Sequence, residues 1–160
     1  EEVAGTYAIV ALLGKAIFWS TQPISKAMFP ISADKNIDGE KNKTFSTSLI
    51  LLLTCIFAAL IVFIAFPELI IKIFAGKSIA GTSQPLFIVG LAFAILSISN
   101  IVLFYKLSKG YTKKYWVMAF PIVIEIFLLV FAGKSIVEFS YALLISSIIF
   151  LIFTVFSLRK

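Results

Sequence analysis

Residues 3–29, VAGTYAIVALLGKAIFWSTQPISKAMF, are apolar over most of their length and carry one lysine, Lys15, near the middle. A helix over this stretch rises about 1.5 Å per residue, which is enough to cross the roughly 30 Å hydrocarbon core of a bilayer. A charge near the bilayer centre costs at least about 2.5 kcal/mol, so such residues usually face a protein interior or a water-filled path. The stretch therefore predicts a membrane-spanning helix of a transporter for an anionic compound.

The composition of the whole chain agrees with a membrane protein. Hydrophobic residues make up 61% of the 160 residues and charged residues 14%, with a mean hydropathy of +1.07, whereas charged residues make up about 25% of soluble domains. No stretch is polar enough for a separate soluble domain. We therefore expect residues 1–160 to form a single, all-α transmembrane domain whose first partner is the lipid bilayer.

The residue types argue against an enzyme. The chain contains no histidine, which removes Ser-His-Asp and Cys-His catalysis and most zinc chemistry. The single cysteine, Cys55, has no second cysteine to pair with. Because the sequence offers no nucleophile with its base, no metal cluster and no nucleotide-binding loop, we expect no catalytic residues, no metal and no cofactor.

Four further apolar stretches follow the first. Pro30 follows the first stretch and Pro67 the second, as is common where helices end. A short amphipathic helix, stopped at Gly76, is predicted between the second and third stretches. The sequence thus predicts a polytopic bundle of about five spanning helices, over residues 3–29, 44–66, 85–107, 115–132 and 139–158. Because the chain opens with Glu1 rather than methionine, we expect it to be the C-terminal part of a larger protein.

The basic residues in the connections and at the ends of the spans alternate between the two sides of the membrane. One side holds nine of them (Lys35, Lys41, Lys43, Lys106, Lys109, Lys113, Lys114, Arg159 and Lys160) and the other holds three (Lys72, Lys77 and Lys134). The positive-inside rule then predicts a cytoplasmic C-terminus and an outer N-terminus, in the inner (cytoplasmic) membrane. The net charge of +6 follows from this topology and from attraction to anionic lipid headgroups, so we expect no nucleic acid partner.

One face of the first helix collects small and polar residues. At 100° per residue, its members fall within about 40° of one direction: Ala4, Ala8, Ala11, Lys15, Gln22 and Lys26. Small residues let helices approach and polar residues line cavities, so Lys15, Gln22 and Lys26 are predicted substrate-binding residues. For Lys26 an alternative is that its side chain extends to the cytoplasmic interface.

Two further polar residues lie in later spans. Glu125 is near the middle of the fourth span, at a depth similar to that of Lys15 and with the opposite charge. We hypothesise that the two meet, or alternate between each other and a substrate or proton, which makes Glu125 the ion-coupling candidate; a static ion pair is the alternative. Asn100 forms a polar patch with Ser97 and Ser99, for which an interhelical hydrogen bond is the favoured interpretation; cavity lining is the alternative and makes Asn100 a substrate-binding candidate.

The order of these motifs resembles a known family. Residues 4–32 resemble a C-lobe helix of the polysaccharide and O-antigen-type flippases of the multidrug, oligosaccharidyl-lipid and polysaccharide exporter superfamily. The resemblance continues over almost the whole chain, through the charged loop ADKNIDGEKNK, Phe66-Pro67, Phe74-Ala75-Gly76-Lys77, Phe104-Tyr105-Lys106-Leu107-Ser108-Lys109-Gly110 and Lys113-Lys114, followed by two closing spans.

The resemblance implies a function and a partner. Such flippases have about a dozen spans in two lobes around a cationic cavity, and they carry a lipid pyrophosphate-linked oligosaccharide to the outer leaflet by alternating access. This chain would supply the last five spans and would need an N-terminal lobe to complete the cavity. Lys15 matches a position where such proteins often place a basic residue, so it would meet the pyrophosphate.

Three alternatives stay open at this point. A multidrug or cation antiporter of the same superfamily would need acidic cavity residues, whereas the buried set here is mainly basic. A membrane glycosyltransferase or sugar polymerase would need polar catalytic loops outside the membrane, and the predicted outer loops are short. A non-catalytic accessory subunit of a membrane complex is compatible with the short chain.

Overall fold

The computed structural model describes residues 2–34, 41–76, 79, 81–111, 115–132 and 135–157. These residues form six α-helices and one 3-10 turn and no strand, so the all-α prediction is confirmed. The helices are α1 (Glu2–Ala33), α2 (Lys41–Ala65), α3 (Pro67–Ala75), α4 (Ser83–Ser108), α5 (Ala119–Phe131) and α6 (Ile136–Ser157), and the 3-10 turn, Tyr115–Met118, leads into α5.

Three helices of the described part of the chain are long and apolar enough to cross a membrane: Asn42–Ala65, Ser83–Ser108 and Ile136–Phe156. A shorter apolar segment covers Trp116–Phe131. Helix α1 is longer than any of these, at 32 residues, but it carries more polar side chains. The protein is therefore a membrane helix bundle, while the five-span layout and its orientation stay predictions.

Two helix ends differ in how well the sequence predicts them. The short helix α3 ends as expected at Gly76, whose φ of 70° suits glycine and whose amide donates to the Lys72 carbonyl. Helix α1 instead continues through Pro30 to Ala33, so the end predicted at Pro30 is wrong. Proline removes its own N–H donor and crowds the carbonyl four residues earlier, which bends a helix but does not always end it. The Asp34 amide donates to the Pro30 carbonyl at 3.2 Å, which closes the last turn.

Helix α4 is the centre of the bundle. It packs most extensively against α1 on one side and α6 on the other, and α2 contacts both α1 and α4. In its most apolar segment 56% of the residues are buried, against 17% in that of α2, as expected for a helix that is hydrophobic all round. Helix α5 packs against α6 and the 3-10 turn and makes no extensive contact with α1 or α4.

Small residues let the helices approach closely at two points. A Cβ atom added to Gly14 would lie 2.6 Å from Val89 Cγ1 and 2.7 Å from Phe93 Cδ2, and one added to Gly90 would lie 2.9 Å from Phe63 Cδ2. Real atoms do not approach so closely. Glycine is therefore required where α1 and α2 cross α4.

Polar contacts join the helices at one end of the bundle. The ammonium group of Lys106 in α4 donates to the Thr154 carbonyl of α6 at 2.9 Å and to that of Val155. The last carbonyls of a helix lack intrahelical donors and carry partial negative charge, so a lysine there is stabilising. At the same end, Tyr105 Oη and Lys109 Nζ both donate to Asn42 Oδ1 of α2, at 2.6 and 3.0 Å.

Candidate functional site

The two faces of α1 differ in what surrounds them. The buried face packs on α4 and includes Val10, Ile17 and Thr21. Lys15 and Lys26 are exposed on the outer side of the bundle, and Gln22 between them is half-buried. We call Lys15, Gln22 and Lys26 the α1 polar stripe. The three do share a face, as predicted, but that face points away from α4.

The small residues of the predicted face lie beside the face through which α1 approaches α4. Ala8 is exposed and Ala11 half-buried, whereas α1 approaches α4 at Gly14; the side chain of Ala4 lies outside the described residues. Within the described part of the chain, α1 therefore approaches α4 through the neighbouring face, where Gly14, Thr21 and Ser25 are also small. That the face with Ala8 and Ala11 lets another helix approach stays a prediction.

The side chains of the stripe have no partner in the described part of the chain. Neither Lys15, Gln22 nor Lys26 makes a hydrogen bond or an ion pair with another described residue, and no carboxylate there lies within ion-pair distance of Lys15. The Lys15–Glu125 ion pair is thus not formed in this structure. If α1 spans the membrane as predicted, an ammonium group near its middle that lacks a partner would be unstable against acyl chains and would need water or another protein surface beside it.

A cavity separates α5 from α1 and α4. Its volume is about 250 Å³, and we call it the α1–α5 cleft. The lining residues are Phe18 of α1, Phe93, Leu96, Asn100 and Leu103 of α4, Glu125 of α5 and Phe150 of α6. The structure therefore brings Asn100 and Glu125 together. Both are half-buried, and neither side chain has a hydrogen-bond or ion-pair partner among the described residues.

The polar stripe borders this cleft without lining it. Lys15 precedes Phe18 by three residues and Gln22 follows it by four, and residues at these spacings are neighbours on a helix surface. Lys26 lies one further turn along α1. The five predicted site residues thus occupy two adjoining places: Asn100 and Glu125 inside the cleft, and the three stripe residues along its α1 edge.

The interhelical hydrogen bond expected of the patch of Asn100, Ser97 and Ser99 is made by Ser97. Thr21 Oγ1 of α1 donates to Ser97 Oγ of α4 at 2.9 Å, and Ser97 donates in turn to the Phe93 carbonyl at 2.9 Å. Ser25 and Ser32 on the same face of α1 are buried, and their hydroxyl groups have no hydrogen-bond partner among the described residues. Sequence reasoning missed this face, although Gly14, Thr21, Ser25 and Ser32 follow a helical spacing that would have revealed it.

A second cavity lies on the opposite side of α1. Its volume is also about 250 Å³, its walls come from α1, α2 and α3, and Cys55 is among its lining residues. None of the five predicted site residues lines it, and its surface is almost entirely apolar. In the described ranges, no group of three or more histidine, cysteine, aspartate or glutamate side chains could hold a metal ion.

Comparisons of the chain with models of protein families, with curated proteins and with solved structures found no match.

Proposed function

We infer that this chain is part of a flippase, a membrane transporter that moves a lipid pyrophosphate-linked oligosaccharide precursor across the cytoplasmic membrane by alternating access. One observation carries the proposal: Lys15 lies near the middle of a 32-residue, mainly apolar helix, where it is exposed at the edge of a cavity and has no partner among the described residues. The flippase resemblance of the sequence points in the same direction.

The spacing of the stripe suits a doubly charged anion that moves along the membrane normal. Lys15 and Lys26 are eleven residues apart, which corresponds to about 16 Å along a helix. Gln22 adds a hydrogen-bond donor between them. A pyrophosphate leaving one lysine would therefore approach the next without losing all its contacts, and each ammonium group would replace part of the hydration that a membrane cavity removes.

The α1 polar stripe is exposed on one side, which indicates that another protein surface covers it in the complete transporter. Helices α4 and α2 cover other faces of α1, so this bundle alone does not enclose the stripe. An N-terminal lobe of the same transporter would supply the second wall of the cavity. In the proposed orientation the end of the bundle with Lys106 and Lys109 lies on the cytoplasmic side, in line with the positive-inside rule.

The proposal is tested by export in cells that depend on the complete transporter. Lys15→Ala should abolish surface polysaccharide while membrane insertion stays normal, and Lys15→Arg should retain part of the export because the charge is kept. Lys72→Ala is the matched control, since Lys72 is an exposed lysine of α3 away from the stripe. Normal export by the Lys15→Ala protein would contradict the proposed role.

A further inference from the structure

We propose that the α1–α5 cleft binds an organic ammonium cation, with Glu125 as its counter-ion and the phenyl rings of Phe18, Phe93 and Phe150 around its alkyl groups. This site goes beyond the proposed function, because the flippase proposal concerns an anion on the polar stripe. The two proposals rest on different residues and can fail separately.

The lining chemistry favours a cation. Three of the lining residues are phenylalanines contributed by α1, α4 and α6, and Glu125 is the one ionisable residue among the described lining residues. The faces of aromatic rings carry negative potential, and rings around a carboxylate are a common setting for quaternary ammonium groups. An intramembrane carboxylate also needs a partner, and Glu125 has none among the described residues.

The same lining argues against an inorganic cation as the ligand. Calcium takes six to eight oxygen ligands and magnesium six. The side chains of the cleft offer at most three oxygen atoms, two from Glu125 and one from Asn100, and the carbonyls of the helical walls are held within the helices. An alkylammonium group needs few oxygen ligands, because apolar contacts replace most of its hydration.

The volume of the α1–α5 cleft limits the size of the ligand. Its volume of about 250 Å³ lies just below the range of roughly 300–1,000 Å³ that is usual for drug-sized ligands. A trimethylammonium group joined to one aromatic ring is of suitable size. Lys15 at the cleft edge would oppose such a cation, so we expect Lys15→Ala to strengthen ammonium binding two- to threefold.

The test is binding of benzyltrimethylammonium to the purified 160-residue chain in dodecyl maltoside micelles, measured by calorimetry. These micelles carry neither charge nor ammonium groups. We expect saturable binding at least tenfold tighter than that of neopentylbenzene, which has the same shape without the charge. Glu125→Gln should weaken binding at least tenfold and Phe150→Leu about threefold. Glu138→Gln is the matched control, because Glu138 is an exposed carboxylate at the start of α6.

Two results would overturn the site: equal affinity of the wild-type and Glu125→Gln chains, or equal affinity for the charged and neutral compounds. Glu125→Asp, which keeps the charge, should retain most of the binding and shows that the loss in Glu125→Gln is not a folding defect. Adding phosphatidylcholine then distinguishes two sources of the ligand. Competition would identify a lipid headgroup as the occupant, and unchanged affinity would identify a free amphipathic amine; both agree with the proposed ammonium site.

Discussion

The two faces of α1 show how neighbouring residues of one helix can have separate tasks. Gly14 and Thr21 lie against α4, where a close approach and a hydrogen bond hold the two helices together. Lys15 and Gln22, the next residue in each case, lie on the outer side with no partner in the described part of the chain. The comparison predicts that substitutions of Gly14 or Thr21 lower the stability of the bundle. Substitutions of the adjacent Lys15 or Gln22 should affect function instead.

The largest change in the free energy of unfolding is expected on the face of α1 that packs on α4. Gly14→Ala should lower the free energy of unfolding by about 1–3 kcal/mol, because the new methyl group would lie well inside contact distance of Val89 and Phe93. Gly5→Ala is the control in the same helix, since no atom lies within 4 Å of its added Cβ, and it should stabilise α1 slightly. Unfolding in dodecyl maltoside with added sodium dodecyl sulfate measures both. If Gly14→Ala and Gly5→Ala had the same free energy of unfolding, the close approach of α1 to α4 at Gly14 would be contradicted.

A smaller effect is expected from the interhelical hydrogen bond. Thr21→Val keeps the shape of the side chain but removes the donor to Ser97, and such bonds in membranes contribute about 1 kcal/mol. Thr54→Val is the control, because Thr54 is exposed on α2 and bonds only within its own helix. A double-mutant cycle with Ser97→Ala measures the coupling, and strictly additive losses would show that the two hydroxyl groups do not interact.

The smallest loss of stability is expected on the outer face. Lys15→Met should lower the free energy of unfolding by less than about 0.5 kcal/mol, because no described contact is lost, and removing a charge from an apolar helix should if anything raise it. Lys106→Met is the matched lysine variant and should cost about 1.5–3 kcal/mol, since its ammonium group donates to two carbonyls at the end of α6. If Lys15→Met destabilised the bundle as much as Lys106→Met, the outer face would be structural as well.

Much of the fold could be predicted from hydropathy and spacing alone. The helices α2, α4 and α6 lie within a few residues of the predicted spans, because a backbone in lipid must satisfy its own hydrogen bonds. The shared face of Lys15, Gln22 and Lys26 likewise follows from the helical repeat. The end of α1 at Ala33 was missed, since a proline in the last turn removes one hydrogen bond without stopping the helix.

The arrangement of the helices around one another could not be predicted in the same way. Which residues meet across helices depends on packing, and the apolar faces of α4 are alike in hydropathy. Sequence reasoning therefore paired Glu125 with Lys15 by depth and charge, whereas the structure places Glu125 with Asn100 and three phenylalanines. The spacing of the serine and threonine residues on α1 indicates the face that packs on α4. The sequence prediction chose the other face because of the charge of Lys15.

The contact between Lys106 and the end of α6 has a consequence for the order of biosynthesis. Helix α4 leaves the ribosome before Thr154 and Val155 have been translated, so its lysine first meets these carbonyls only when the last helix is nearly complete. The α5–α6 hairpin, which is joined to the rest chiefly through α6, would then dock as a late unit. Chains truncated before residue 154 and released from the ribosome should therefore insert their earlier helices while α5 and the shortened α6 remain undocked.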